Sequence, residues 1–188
     1  LKKPVPSAGP VRKVEHLLRR HGLHTVCESA SCPNLGTCFE QGTATFLIMG
    51  DVCSRGCGFC GVRTGVPEAT DPSEPERVGE AAASLGLGHV VVTSVTRDDL
   101  ADGGASQYVA VIRAIRSRQP AATVEVLAPD FAGQQACVDK LLAESPEVFG
   151  HNVETVPRLF EVARRGAEYG RSLAVLGWAA ADGGSLVK

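Results

Sequence analysis

The chain has 188 residues, with 19 lysines and arginines against 21 aspartates and glutamates, which gives a net charge of −2. That length suffices for one domain or for part of a larger protein, and the near-neutral charge gives no reason to expect a nucleic-acid partner. The apolar runs are too short to span a bilayer, and no basic segment followed by an apolar one opens the sequence. We therefore expect neither a membrane segment nor a secretory signal, and a cytoplasmic location, or an organellar one if a transit peptide was removed.

The first 43 residues are predicted to form a cysteine-rich extension. The proline-rich segment Leu1–Pro10 is expected to wrap over a surface without forming an element. Val11–His21 carries apolar residues at helical spacing and is followed by Gly22, which favours a helix that ends there. Residues 27–38 combine cysteines with serine, proline, asparagine and glycine, and this composition is typical of a compact loop.

Strands and helices are predicted to alternate from Ala44 onward. The predicted strands are Ala44–Met49, His89–Thr93, Thr123–Leu127 and Val148–His151, and the predicted helices are Glu76–Leu85, Ser106–Arg118, Gln134–Glu144 and Val156–Arg165. This alternation predicts a parallel sheet with right-handed crossovers, and four strand–helix units in residues 44–188 are too few to close a (β/α) barrel. After Arg171 the chain is expected to begin helically and to add no further structure past Asp182. We therefore predict an α/β fold, a partial (β/α) barrel that is incomplete at its C-terminal side.

Six of the seven cysteines form two triplets between residues 27 and 60. The second triplet, Cys53, Cys57 and Cys60, is spaced C-x3-C-x2-C and directly follows the first predicted barrel strand, at the end where parallel strands bind ligands. Three thiolates are one fewer than a structural zinc ion or a fully ligated cubane cluster takes, so the spacing suggests an iron left open for another ligand. A zinc site is the alternative, but no second cysteine pair or paired histidines follow at ligand spacing. The seventh cysteine, Cys137, is expected to be a buried structural thiol.

The second triplet also carries a resemblance to a known superfamily. The segment Cys53–Cys60, with the aromatic Phe59 before its last cysteine, resembles the signature of the radical S-adenosylmethionine (SAM) superfamily. In that superfamily the three cysteines ligate three irons of a [4Fe–4S] cluster, and the fourth iron binds the amino and carboxylate groups of SAM. The resemblance therefore implies a radical SAM (β/α) barrel and these two cofactors.

The first triplet narrows the resemblance further. Cys27, Cys32 and Cys38 are spaced C-x4-C-x5-C, and the filling E-S-A-S-C-P-N-L-G resembles lipoyl synthase within the superfamily. Further segments that are similar to lipoyl synthases are Thr93–Leu100, Asp102–Ala105, Val126–Phe131, Gly150–Thr155 and Tyr169–Leu173. In that family the N-terminal triplet holds an auxiliary [4Fe–4S] cluster that supplies sulfur. The resemblance thus implies two [4Fe–4S] clusters in all.

The resemblance implies a sulfurtransferase that inserts two sulfur atoms at C6 and C8 of a protein-bound octanoyl chain and so forms the lipoyl cofactor. Its implied partners are octanoylated lipoyl carrier domains, namely the acyltransferase subunits of 2-oxoacid dehydrogenases and the glycine cleavage H protein. A low-potential electron donor such as ferredoxin or flavodoxin is implied as well. Two alternatives stay open: another radical SAM sulfur-inserting enzyme of the biotin synthase kind, and a non-catalytic fragment that binds an iron–sulfur cluster or zinc.

A short acidic-glycine element is a candidate SAM contact. Asp102, Gly103 and Gly104 resemble the segment that binds the amino group of the methionine moiety in this superfamily. The alternative is a turn in which Asp102 caps the helix that follows it. Both roles are compatible with the same carboxylate.

Three polar residues later in the chain are further candidates for SAM binding. Asn152 and Glu154 stand two apart at a strand end, so both side chains can face one pocket; by resemblance they contact SAM, and the alternative is solvent-facing polarity. Arg171 is a candidate for the methionine carboxylate, because a guanidinium pairs with a carboxylate as a fork. Its alternative is an ordinary surface arginine.

The chain departs from the lipoyl synthase pattern at one ligand. In that family the auxiliary cluster takes its fourth ligand from a serine in an Arg-Ser-Ser motif near the C-terminus. Here Arg171-Ser172 is followed by leucine and belongs to a different segment of the family pattern. We therefore expect a C-terminally truncated chain, and poor activity in sulfur insertion by these 188 residues alone.

Overall fold

The computed structural model describes residues 8–29 and 32–188. Residues 1–7 of the predicted proline-rich segment lie outside this range, and so do Ala30 and Ser31 of the first cysteine segment. Ala8 to Pro10 are part of a helix, so the prediction that no element forms before residue 11 is wrong there. No helix in the described residues is long and apolar enough to cross a membrane.

The elements alternate along the chain much as predicted. The helices are α1 (Ala8–His21), α2 (Val26–Ser29), α3 (Leu35–Glu40), α4 (Glu74–Leu85), α5 (Ala105–Arg118), α6 (Gln135–Leu142), α7 (Phe160–Ala163) and α8 (Tyr169–Asp182). The strands are β1 (His24–Thr25), β2 (Thr43–Ile48), β3 (Val52–Cys53), β4 (Arg63–Thr64), β5 (His89–Ser94), β6 (Thr123–Leu127), β7 (Val148–Gly150) and β8 (Leu186–Val187). Two 3-10 turns lie at Phe131–Gly133 and Pro157–Leu159.

The main sheet of the described residues has the order β1-β2-β5-β6-β7-β8. From β2 to β8 neighbouring strands pair in parallel, and β1 pairs with β2 antiparallel. Helices connect the parallel strands as crossovers, so the predicted α/β fold is confirmed. The sheet stays open, with β1 and β8 at its edges, as expected of a partial barrel. All parallel strands end at the same edge, which is where the cysteine loop leaves β2.

Apolar residues at predicted core positions hold the layers together. Val90, Val92, Val124, Val126 and Phe149 are completely buried along the central strands, as β-branched and aromatic side chains are in sheets covered on both faces. Cys137 is buried as well, as expected.

Helices α4 and α5 approach unusually closely at Gly79. A Cβ atom at this position would lie 2.7 Å from the carbonyl oxygen of Ala114 on α5. Real Cβ atoms do not come this near to backbone oxygen, so glycine is required for the contact. This packing holds together the two crossover helices that precede and follow β5 along the chain.

Several further local features differ from the prediction. The predicted loop over residues 27–38 holds the one-turn helix α2 and the start of α3. The predicted helix Val156–Arg165 is reduced to the turn Pro157–Leu159 and the four-residue α7, because the backbone leaves the helical region at Arg164. The chain past Asp182 is structured, since β8 pairs with β7. The antiparallel β1 was not predicted, and it ties the N-terminal extension to the sheet.

Candidate functional site

The turn that leaves β2 is held by buried polar groups. Met49 has φ 65, a left-handed conformation that is uncommon outside glycine, and Gly50 follows at φ 89. The Met49 amide donates to both carboxylate oxygens of Glu74 at 3.0 Å, and that carboxylate is nearly buried at the start of α4. The buried Arg97 donates to the Met49 carbonyl at 3.4 Å. These contacts turn the chain from the strand into the cysteine loop.

The second cysteine triplet lies in this loop. Cys53 is in β3, which pairs with β4 and thereby closes the loop. Its sulfur accepts hydrogen bonds from the amides of Arg55 at 3.4 Å and Thr96 at 3.3 Å. Burial raises the pKa of the Cys57 thiol, although the charge of Arg164 acts to lower it. The three predicted ligands lie in one loop, Cys53–Cys60. Backbone amides that donate to sulfur are typical of iron–sulfur ligands, and the ligand role of the three cysteines stays a prediction.

The first triplet lies on and between the short helices α2 and α3, which pack against β2. Cys27 is buried on α2, and the amide of Cys32 donates to its carbonyl at 3.0 Å. The pKa of the Cys27 thiol is raised overall, because burial raises it more than the hydrogen bonds with Thr45 of β2 lower it. Cys27 and Cys38 lie on the short helices α2 and α3, with Cys32 between them. The role of the three cysteines as ligands of one cluster stays a prediction.

The role of the six cysteines as metal or cluster ligands stays a prediction. Among residues 8–29 and 32–188, no three His, Cys, Asp or Glu side chains converge as one metal ion would require. A [4Fe–4S] cluster takes each thiolate on a different iron, so its ligands do not need to converge on one point. All six cysteines are free thiols and remain available as ligands.

A cavity of about 130 Å³ opens at the ends of β5, β6 and β7. It is lined by Thr93, Ser94, Thr96, Leu127, Ala128, Pro129, His151, Asn152, Glu154 and Arg164. Two of these residues also reach the second triplet: the Thr96 amide contacts the Cys53 sulfur, and the Arg164 charge lowers the pKa of Cys57. The cavity therefore adjoins the cysteine loop.

Two predicted SAM contacts lie in this cavity. The Asn152 amide group donates to the Glu154 carboxylate at 2.8 Å, and Glu154 has φ 68. Their side chains face one pocket, as their spacing suggested. What they bind stays a prediction.

The acidic-glycine element forms a helix cap. Asp102 accepts hydrogen bonds from the amides of Gly104 at 3.0 Å and Ser106 at 2.9 Å at the start of α5. Gly103 and Gly104 have φ 57 and 88, and a Cβ at Gly104 would overlap the Met49 thioether. The capping alternative therefore describes the structure, and a role toward SAM stays a prediction.

Arg171 lies on α8 and is paired with carboxylates. Its guanidinium contacts Asp130 at 3.3 Å and Glu168 at 2.5 Å. It is not an ordinary exposed arginine, because one of its partners, Asp130, is completely buried. A role toward the methionine carboxylate stays a prediction.

Comparison with known proteins assigns the family. Residues 47–187 match the model of the Radical SAM superfamily. The chain belongs to this superfamily. The lipoyl synthase of Methylococcus capsulatus is 56% identical over 171 residues, and that of Rubrobacter xylanophilus is 50% identical over 189 residues. The predicted resemblance to lipoyl synthases is therefore confirmed.

The match covers only part of these relatives. It includes 90% and 100% of this radical SAM chain, but 53% and 59% of the two lipoyl synthases. Among solved structures, methylornithine synthase is similar in fold, with a TM-score of 0.59 over 94% of this chain and 53% of its own, at 13% identity. At that identity the likeness shows the fold alone.

One polar residue in the radical SAM chain was missed by sequence reasoning. His151 is only 4% exposed and its Nδ1 lies 2.8 Å from the carbonyl of Ala128, so Nδ1 carries the proton. Burial lowers its pKa, which keeps the ring neutral. Its buried Nε2 has no hydrogen-bond partner in the described residues and is left as an acceptor beside the cavity. Its place at the end of a predicted strand, directly before Asn152, was the available signal.

A second missed residue is Arg55, inside the cysteine loop. Its side chain is 7% exposed and contacts the carboxylates of Asp98 and Asp130. Its position between two cysteines gave no indication of partners so far along the chain.

Proposed function

We propose that this chain is the cluster-binding part of a lipoyl synthase, which inserts two sulfur atoms at C6 and C8 of a protein-bound octanoyl chain. One observation supports the proposal: the second cysteine triplet lies in the loop that follows β2, beside a polar cavity at the ends of the parallel strands. The 50% and 56% identity to lipoyl synthases supports it. Because the chain spans a little over half of those relatives, the activity of the whole enzyme is part of the proposal.

The second triplet is proposed to hold a [4Fe–4S] cluster through Cys53, Cys57 and Cys60. The donor set fits, since it offers three thiolates and leaves one iron for SAM. The amides of Arg55 and Thr96 stabilise charge on the Cys53 sulfur. The clusters and SAM together supply the electron, the radical chemistry and the sulfur that no side chain provides.

SAM is proposed to bind in the cavity beside this loop. Asn152 and Glu154 offer an amide and a carboxylate to its polar groups, and His151 offers an acceptor that has no partner among residues 8–29 and 32–188. Asp102 and Arg171 are proposed for the amino and carboxylate groups of the methionine moiety. In this structure both side chains are engaged within the protein, so binding SAM would add to or replace those contacts.

The first triplet is proposed to hold the auxiliary cluster through Cys27, Cys32 and Cys38. The Arg-Ser-Ser motif that supplies the fourth ligand in lipoyl synthases is absent from the sequence. We therefore expect residues 1–188 alone to insert sulfur poorly even when both triplets bind iron. The proposed partners are octanoylated carrier domains, of 2-oxoacid dehydrogenase acyltransferase subunits and the glycine cleavage H protein, and a ferredoxin or flavodoxin as electron donor.

Anaerobic reconstitution with iron counting tests the cofactors. Two clusters give about eight irons per chain, and Cys53→Ala and Cys27→Ala should each remove about four. Cys137→Ala is the matched control, because Cys137 is free and buried but belongs to neither triplet. A single zinc without iron would refute the proposal.

Mass spectrometry tests the reaction itself. The full-length protein is incubated with SAM, a reductant and a peptide that carries an octanoylated lysine. The expected product gains two sulfur atoms. An octanoyl peptide that gains none, while desthiobiotin is converted, would assign the protein to the biotin synthase kind instead.

A further inference from the structure

Arg55 lies between Cys53 and Cys57, and its guanidinium contacts two carboxylates at once. Nε and Nη2 donate to the two oxygens of Asp98, both at 2.7 Å. Nη1 and Nη2 donate to the two oxygens of Asp130 at 3.0 and 2.8 Å. With its side chain 7% exposed, Arg55 forms a nearly buried double fork, the geometry for which a planar guanidinium is suited.

The two carboxylates belong to different parts of the sheet edge. Asp98 follows β5, and Asp130 follows β6 and is completely buried. The cysteine loop itself leaves β2, so Arg55 ties that loop to the ends of two other strands. Ser54 adds to the connection, because its amide and hydroxyl donate to the Thr96 carbonyl at 3.0 and 2.9 Å.

The contacts of Arg55 also bear on Cys53, the first proposed ligand of the cluster. The amides of Arg55 and Thr96 both donate to the Cys53 sulfur, and both belong to segments that the Arg55 contacts hold together. We propose that Arg55 is a positioning residue that holds the cysteine loop ready for its cluster and keeps these two amides on the Cys53 sulfur. This inference rests on the proposed iron–sulfur cluster at the second triplet.

Lysine cannot reproduce these contacts, although it keeps the charge. An ammonium group is a point charge without a planar fork, so it cannot hold both carboxylates in bidentate geometry. Arg63 provides a matched control. It also contacts both oxygens of one aspartate, Asp51, at 2.7 Å, but its side chain is 70% exposed and the pair lies within the loop region itself.

The test compares Arg55→Lys with Arg63→Lys in a protein that also carries Cys32→Ala and Cys38→Ala. These two background changes remove ligands of the first triplet, so that bound iron is held by the second triplet. The buried Cys27 is kept because it is part of the core. Hydrogen exchange of residues 52–60 is measured without iron, and iron loss to a chelator and the reduction potential are measured with it. For Arg55→Lys we expect faster exchange, about 10-fold or greater loss of iron affinity, and a lower potential, since hydrogen bonds to sulfur raise it. Arg63→Lys should match the unsubstituted background protein.

Asp98→Asn is a second variant that removes the charge of a partly exposed carboxylate, so it should perturb folding less than a change at the buried Asp130. It should shift all three measurements in the same direction as Arg55→Lys, by less. Equal exchange, iron retention and potential in Arg55→Lys and Arg63→Lys would overturn the positioning role alone. A background protein that binds no iron at the second triplet would instead overturn the proposed function, and the positioning role with it.

Discussion

Asp130 Oδ2 accepts a hydrogen bond from Arg171 Nη1 at 3.3 Å, and Arg55 Nη1 contacts the same oxygen at 3.0 Å. A single buried carboxylate therefore joins the cysteine loop to helix α8. Burial acts to raise the pKa of Asp130, but the hydrogen bonds and charge of Arg55, with a smaller contribution from Arg171, lower it overall. Asp130 is charged at neutral pH, and it balances arginines from two distant segments.

Replacing Asp130 by asparagine should destabilise the fold in a pH-dependent way. Loss of one partner from a buried ion pair costs about 3 kcal/mol at pH 7. Because the pKa of Asp130 is lowered in the folded state, its stabilisation is complete above the ordinary carboxyl pKa of about 4 and is lost as the pH falls below it. Urea unfolding measures the free energy of unfolding of both proteins at pH 7 and at about pH 3. The difference between Asp130→Asn and the unsubstituted protein should be smaller at about pH 3.

Asp51→Asn is the control for this measurement. Its partner Arg63 is largely exposed, so the change should cost less than about 1 kcal/mol at pH 7. Equal destabilisation by Asp51→Asn and Asp130→Asn would contradict the role of burial.

His151→Phe should weaken the binding of SAM-like ligands while the cavity keeps its volume. The neutral Nε2 is an unpartnered acceptor in the described structure, and one hydrogen bond from a ligand hydroxyl or amino group is worth about 1 kcal/mol, or roughly 5-fold in affinity. Titration calorimetry with S-adenosylhomocysteine measures this without turnover.

His89→Asn is the comparison for His151, because His89 lies at the opposite end of β5 and contacts Thr123 at 2.7 Å. It should leave the affinity unchanged. A ligand analogue that lacks the group contacted by Nε2 should bind His151→Phe and the unsubstituted protein with equal affinity. If His151→Phe binds every analogue more weakly, the substitution has disturbed folding instead.

The barrel strands were predictable because their signals are local. Thr123–Leu127 was predicted to the residue, since a buried run rich in valine needs no knowledge of its neighbours. β8 was missed because Leu186 and Val187 form too short a run, and only pairing with Phe149 and Val148 defines them as a strand. The helix over Val156–Arg165 was overestimated because its first turn is the 3-10 turn Pro157–Leu159 and the backbone leaves the helical region at Arg164.

In the candidate site, too, local patterns were predictable and long-range contacts were not. The spacing of Cys53, Cys57 and Cys60 is a local pattern and indicated a cluster loop directly. The partners of Arg55 lie 43 and 75 residues further along the chain, so no local pattern contains them. Such contacts arise only when the ends of separate parallel strands are brought to one edge.

Asp102→Asn separates the two roles considered for that residue. The two carboxylate oxygens of Asp102 accept from different amides, and asparagine keeps one accepting oxygen, so the free energy of unfolding should fall by about 1 kcal/mol. If Asp102 also binds the methionine amino group, the loss of charge should weaken S-adenosylhomocysteine binding several-fold. Ser106→Ala, which removes a hydroxyl contact of the same cap without changing charge, should leave that affinity intact. Unchanged binding in Asp102→Asn would leave capping as its role.

Gly79→Ala and Gly177→Ala should change stability in opposite directions, although both lie within helices. At Gly79 the added methyl group would lie 2.7 Å from the Ala114 carbonyl oxygen, so α4 and α5 must separate, at a cost of about 1–3 kcal/mol. At Gly177, on the exposed side of α8, no described atom lies within 4 Å of the new Cβ, and alanine should add about 0.5–1 kcal/mol. Urea unfolding measures both. Stabilisation by Gly79→Ala would show that the close approach of α4 and α5 does not require glycine.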